Sequence, residues 1–427
     1  MKNLIEPSYQ RILSKKTNLS QVPDEFRWPC FDGYSIANIA PSICHWLSAE
    51  SSGFQPGLHF EKDFGESFDH VILIVIDGLG FHQMKKVKER LSENVCLQRF
   101  EKDSVQTVLT STIPSTTIAA LTSIWTGAAP GQHGLVGYEM WDRDLGFVMN
   151  CLPYSPVSLQ NHPGLIAEAG LPPEKLIPVP TLGQQLEKSK VIANAYMPIM
   201  LAYSNLTKCH MSGMEIVPYR RFGDLWCTLL QKLEFNRTSR TCEVIYWNDI
   251  DTYGHLMGME DDRVYFDLDQ FYFGMEKAIE SITVSHFGKT LLLVTADHGQ
   301  IRSVPDSNRD LKNHPGLLKN IWMMPTGENR LTYFYVKNGH AKDLQNYIES
   351  EWPNEFHLFS SQDFIKEGVY GTSSLHPDLE NRIGEMMAAA KGESYFWWPK
   401  RPDKLQARHG GLSENEMIVP LTGYLIE

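Results

Sequence analysis

Residues 71–80 read Val71-Ile72-Leu73-Ile74-Val75-Ile76-Asp77-Gly78-Leu79-Gly80, and this stretch decides the fold. Six consecutive β-branched or leucine side chains leave no polar face. A strand apolar on both sides belongs in the middle of a parallel sheet covered by helices. The run stops at an acidic residue and two glycines, and a helical stretch follows through about residue 91. The arrangement recurs downstream. Val244-Ile245-Tyr246-Trp247 ends in Asn248-Asp249, and Leu291-Leu292-Leu293-Val294-Thr295 ends in Ala296-Asp297-His298-Gly299. A helix is expected between them, over roughly 260–284. Strands alternating with helices predict an α/β sandwich around a mostly parallel sheet. Ligands of such sheets sit beyond the carboxyl ends of the strands, where all three of these strands place acidic residues.

Outside these elements the chain is less regular. Residues 1–64 read as an N-terminal extension packed on the core, and residues 65–427 as the main domain. The Pro-, Gly- and aromatic-rich stretches 135–240 and 300–405 read as lobes inserted over the sheet. A chain of 427 residues with 42% hydrophobic content buries a sizeable core.

The formal net charge of -12 argues against a protein that wraps nucleic acid, which usually carries a basic face. Lys85-Lys86-Val87-Lys88 reads as a solvated helix face. Metal ions could still supply positive charge locally for a small anionic substrate. The seven cysteines lack CxxC pairs and read as reduced thiols. The N-terminus has no apolar segment of signal-peptide length, and Val71–Ile76 is far too short to span a bilayer. A cytoplasmic protein without membrane partners is expected; the sequence leaves the oligomeric state open.

Taken singly, the chemical residues have plain readings. Asp77-Gly78 is a common turn pair. Asp251 and His255, four apart with Gly254 between, can meet on one side of a single turn, or can be an unrelated loop pair. In Asp297-His298-Gly299 the two side chains reach one ion only if the chain leaves the pleat, which a glycine permits. His409, in Arg408-His409-Gly410-Gly411, says little alone among 15 histidines. Pro114-Ser115-Thr116-Thr117 opens a helix that Gly127 stops, so its hydroxyls could simply cap. A helix start also favours anions. Three Asp and three His, mostly at strand ends, together with a helix-start hydroxyl, make up the donor set of a two-metal hydrolase.

In order along residues 70–420, the pieces VILIVIDGLG, PSTTIAALTSIWTGAAPGQHGLVGY, DIDTYGH, LLLVTADHG and RHGGLSENEMIVPL resemble the type I phosphodiesterase/nucleotide pyrophosphatase family of the alkaline phosphatase superfamily. The resemblance implies an alkaline-phosphatase-like α/β sandwich and two Zn2+, with Mn2+ as an alternative. It implies one metal held by Asp77, Asp297 and His298 with the oxygen of Thr117, and the other held by Asp251, His255 and His409. Thr117, three residues after Pro114 and nine before Thr126, is the implied nucleophile, through a phosphothreonine intermediate; Thr116 is its rival. One departure concerns the substrate. Nucleotide-cleaving members often carry Phe-Pro-Asn after the threonine, where this chain has Ile118-Ala119-Ala120. The expected substrate is therefore a small phosphorylated molecule, with nucleotides among the candidates. A phosphomonoesterase or phosphomutase is the enzymatic alternative, and a non-catalytic binding module the other. A sulfatase lacks its Cys/Ser-x-Pro-x-Arg setting here, and a phosphoethanolamine transferase its membrane spans. No Arg or Lys lies between Val105 and Glu139, so a cation near the nucleophile has to come from a lobe, with Arg302 and Lys312 as candidates. His133, His314 and His376 read as structural.

Overall fold

The computed structural model describes residues 2–159 and 162–427. Its centre is an eight-stranded sheet in the order Lys2–Asn3, Ser104–Thr110, Ile418–Ile426, Thr290–Thr295, His70–Ile76, Thr241–Trp247, Ile192–Pro198, Glu215–Tyr219. All neighbours run parallel except Ile418–Ile426, which is antiparallel to both of its partners. Every residue of His70–Ile76 is buried, as the apolar run requires of a strand covered on both faces.

Register matters more to the site than the strand count. His70 is level with both Thr241 and Thr290, Val75 with Thr295, and Ile76 with Trp247. The three strands therefore finish together, and the residues that follow them, Asp77, Asn248-Asp249 and Ala296-Asp297, share one edge. Helix Phe81–Arg90 follows His70–Ile76, and Asp262–Ser285 lies between Thr241–Trp247 and Thr290–Thr295, packing on Phe222–Phe235 and Val95–Lys102. Helix Ile39–Trp46 packs against Thr117–Thr126 and Leu182–Lys188.

A second, antiparallel sheet of seven strands draws on two distant parts of the chain. Glu139–Asp142, Phe147–Asn150 and Ser155–Pro156 join Thr326–Gly327, Leu331–Phe334, Phe356–Ser360 and Met386–Ala390 across the Gly327–Glu139 bridge. Parts of both irregular stretches thus form one body, with its own apolar cluster around Met140, Met149, Leu331, Tyr333 and Met387. Strands Ile192–Pro198 and Glu215–Tyr219, which also lie between 135 and 240, sit in the central sheet instead. The first 64 residues contribute to both bodies: Lys2–Asn3 pairs with Val105–Gln106, Trp46 lies in the central core, and Trp28 in the second. Among the described residues no helix is long and apolar enough to cross a membrane, and none of the seven cysteines is in a disulfide.

Candidate metal centre and active site

Asp77 leaves its strand at the shared edge, its backbone N–H still bonded to the Trp247 carbonyl at 2.9 Å. Gly78 turns the chain at φ 75°, and a Cβ there would come within 3.0 Å of the Asp251 Cβ. A side chain at position 78 would therefore both strain the backbone and push apart two acidic residues. Asp297 faces Asp77 from the neighbouring strand. Its Oδ1 accepts from the backbone N–H groups of Gly78 at 3.1 Å and His298 at 2.9 Å. One oxygen of Asp77, Oδ2, accepts from the buried Tyr246 hydroxyl. The remaining oxygens, Asp77 Oδ1 and Asp297 Oδ2, have no hydrogen-bond partner among the described residues. Both point at His298 Nε2, at 3.5 and 3.4 Å.

Gly299 plays a different part from the turn expected of it. It is absent from the positive-φ glycines; a Cβ on it would lie 2.0 Å from the Asn415 carbonyl oxygen. Close chain approach, not handedness, demands the glycine.

Asp251 and His255 lie one turn apart on helix Asp249–Met257, with His255 Nε2 at 3.4 Å from Asp251 Oδ2. His409 arrives from far along the chain. The short ladder of Ile301–Arg302 with Ala407–Arg408 ties its segment to the one just after His298. His409 then stacks on His298 with ring centroids 3.8 Å apart and sets Nε2 at 3.8 Å from Asp251 Oδ1.

All three imidazoles are aimed the same way. Nδ1 of His298 meets the Gly299 carbonyl at 3.1 Å, that of His255 the Ala407 carbonyl at 2.8 Å, and that of His409 the Ser115 carbonyl at 3.2 Å. A proton held on Nδ1 by a carbonyl leaves the Nε2 lone pair free for a metal. Burial, then the neighbouring His298 and His255, holds His409 well below the ordinary imidazole pKa, so it is neutral. Burial, then Asp297 and Asp251, pushes Asp77 above the usual carboxylate range, and burial does the same to Asp297. Buried carboxylate oxygens without a partner, Asp77 Oδ1 and Asp297 Oδ2, are the condition that a cation relieves. Ligand atoms of Asp77, Asp297 and His298 lie within 4.8 Å of one another, as do those of Asp251, His298 and His409. His298 belongs to both trios, whereas His255, expected in the second, is in neither and meets Asp251 Oδ2 from beside it; the donor set of oxygen and imidazole nitrogen fits two divalent cations.

Thr117 opens helix Thr117–Thr126, which Gly127 ends in the left-handed conformation. Its Oγ1 is 3.1 Å from His298 Nε2. Thr116 is the residue before the helix; it is buried and turned toward Glu328. A cavity of about 340 Å³ opens over Thr117, Asp251, His255 and His409. Its walls are Ile118, Leu152, Leu256 and Leu405 with Tyr138, Trp397 and Trp398.

A family model for type I phosphodiesterase/nucleotide pyrophosphatase matches residues 71–412. The chain belongs to this family. Among solved structures, murine ectonucleotide pyrophosphatase/phosphodiesterase 5 is similar over 82% of this chain and 87% of its own, at TM-score 0.59 and 14% identity. The human form gives TM-score 0.59 at 15% identity, with the same coverage. Phosphonoacetate hydrolase from Sinorhizobium meliloti 1021, in complex with phosphonoformate, gives TM-score 0.58 at 14% identity over 82% of this chain and 89% of its own. These likenesses concern the fold alone. Among curated protein sequences the chain has no significant match.

In this phosphodiesterase family member the seven residues singled out from sequence converge on one place. The lobe cations do not. Arg302 pairs with Glu393 at 2.9 Å, and Lys312 binds the Pro399 carbonyl at 2.9 Å and Asp310 at 3.3 Å. The Arg or Lys that reaches the Thr117 cavity, alone among the described residues, is Arg401. Sequence reading missed it, and missed the two buried glutamates of the same wall. Glu139 accepts from Trp398 Nε1 at 2.9 Å. Glu328 accepts from the Tyr138 N–H at 2.9 Å, and burial pushes its carboxyl up to about 8. The aromatic-basic run Tyr395–Arg401, just before Arg408-His409, was the available signal. His133 bonds Ser123 at 3.1 Å, His314 bonds Tyr347 and Asn308, and His376 packs beside Gly134; none lines the cavity.

Proposed function

We propose that this chain is a two-zinc hydrolase of phosphate esters, acting on a phosphodiester or pyrophosphate through Thr117. The observation that carries the reading is the meeting of three features: the Thr117 hydroxyl, the point where the two acid-imidazole trios touch, and the mouth of the apolar cavity. Asp77, Asp297 and His298 would hold one cation together with the Thr117 oxygen, and Asp251, His255 and His409 the other. Bound there, two divalent ions would make the Thr117 hydroxyl a competent nucleophile and offset charge on the phosphoryl oxygens. Thr117 attacks phosphorus along the line to the leaving oxygen; the phosphothreonine so formed is then cut by water, which returns the hydroxyl. His298 and the start of helix Thr117–Thr126 fix the nucleophile, so little reorganisation precedes attack.

One observation, the cavity wall, favours a diester. The cavity is large enough for a small ligand, and most of its wall suits an ester group rather than a second charge. An inactive threonine-to-alanine variant of the murine relative was solved with AMP, and the bacterial relative with phosphonoformate. Both are small phosphorus oxyanions, and a nucleotide is within the range proposed for this chain. Arg401 favours the second reading, a monoesterase or mutase, because an extra fixed cation helps a more highly charged substrate. The unpaired cysteines fit a reducing, cytoplasmic setting.

The test is kcat/KM with zinc for bis-p-nitrophenyl phosphate and a nucleotide p-nitrophenyl ester against p-nitrophenyl phosphate. We expect the diesters to be favoured. A clear monoester preference that Arg401→Ala abolishes moves the enzyme to the second reading.

A further inference from the structure

Gln300 directly follows the Asp297-His298-Gly299 turn and is 1% exposed. Its side chain points at the other trio. Nε2 donates to the Asp251 main-chain oxygen at 3.0 Å and to Asp251 Oδ1. Its main-chain oxygen accepts from Gln83 Nε2, which pins the segment from behind.

The far end of the amide is odd. Gln300 Oε1 is buried and has no partner among the described residues. It lies 2.1 Å from where a Cβ on residue 254 would stand. Gly254 sits within helix Asp249–Met257, where a glycine weakens the helix relative to alanine. A buried amide oxygen without a partner and a glycine inside a helix both work against stability. The Met259 sulfur, 2.5 Å from the same Cβ position, shares the space that Gly254 leaves. The Gln300 amide in that space is the one that donates to Asp251.

We propose that Gln300 is a positioning residue that couples the two metal trios. The turn that presents Asp297 and His298 also carries, one residue on, the donor that fixes the Asp251 carboxylate. Ordering that turn with a cation at the Asp77, Asp297, His298 trio therefore readies Asp251 beside His255 and His409. Loading is sequential, with the second site dependent on the first. The inference rests on the two-metal reading proposed above.

Zinc titration of the full chain against a competing chelator tests it, with bound zinc counted by elemental analysis. Two variants are used: Gln300→Met, which keeps length but not the donor, and Gly254→Ala, whose Cβ displaces the amide. In each we expect one tightly held zinc and a second weakened 10- to 100-fold, the range seen when support for a ligand is lost. The zinc-free protein should melt no lower than the unaltered chain does. Should the unaltered chain bind no zinc, the metal reading itself fails. If it binds two and both variants bind two equally well, the coupling role alone is overturned. Equal loss of both sites, or a fall in zinc-free Tm in both variants, also overturns it, since either marks a general structural part.

Discussion

Replacing Thr117 and Thr116 in turn is expected to separate activity from stability. The two hydroxyls are neighbours in sequence but face different surroundings. Thr117 Oγ1 has His298 Nε2 as its partner at 3.1 Å, in a half-buried position at the first turn of its helix. Losing one such bond costs about 0.5–1.5 kcal/mol, and alanine returns a few tenths, about 0.5 kcal/mol at most, through its better helix propensity. Thr117→Ala should therefore change stability by less than about 1 kcal/mol. Activity should fall at least about 1000-fold, a modest figure for the loss of a covalent nucleophile. Thr116 is 2% exposed and makes no side-chain cap bond to the helix, so no capping energy is at stake. Its hydroxyl instead lowers the proton affinity of the buried Glu328 carboxyl, which burial has driven up to about 8. Taking that hydroxyl away should cost about 1–3 kcal/mol of stability and less than about tenfold in turnover, since no reacting atom is touched. Turnover of bis-p-nitrophenyl phosphate with zinc, scanning calorimetry, and zinc content of each purified variant give the three readouts. An inactive Thr116→Ala beside an active Thr117→Ala would place the nucleophile one residue earlier. Loss of zinc from Thr117→Ala would make the hydroxyl a structural part of the centre rather than the attacking group.

Protein purified without chelator is expected to hold about two zinc ions per chain; less than one, with no gain on adding zinc, refutes the two-trio reading. His409→Ala should weaken the second site and cut activity strongly, whereas His376→Ala should leave both nearly unchanged, because His376 packs beside Gly134 away from the cavity. Equal mild effects would remove His409 from the ligand set. Glu243 offers a test outside the site. Its buried carboxyl accepts from Asn194 Nδ2 at 3.1 and 3.0 Å and from the Tyr196 hydroxyl at 2.9 Å, yet burial raises it from 4.5 to about 6. A carboxyl raised on folding disfavours the ionised fold, so its penalty is absent below the unfolded value, grows as pH rises between the two, and is complete above the folded value. Glu243→Gln should thus stabilise by about 2 kcal/mol at pH 8, once the Asn194 amide turns over so that its Oδ1, without a partner among the described residues, accepts the new N–H. The gain should vanish near pH 4; a gain independent of pH would show that ionisation is not the cause.

Local chemistry made much of this protein readable in its sequence. A run of six apolar residues allows one environment, a strand buried on both faces, and Asp77, Asp249 and Asp297 must then follow at the sheet edge. Four-residue spacing set Asp251 beside His255, and Gly127 ended the helix of Thr117 where a left-handed residue was needed. These features depend on neighbours within a turn or a strand, so period and composition encode them. What lay beyond reach depends on which distant segments pair. Nothing local says that Ile301–Arg302 meets Ala407–Arg408 and so delivers His409, or that Glu139 and Gly327 join two stretches into one sheet. The same long-range register brings Arg401, Glu328 and Trp398 to the cavity, in place of Arg302 and Lys312. Gln300 stood next to a legible motif, but its role hangs on the space left by Gly254, and empty space inside a fold exists only once the packed elements surround it.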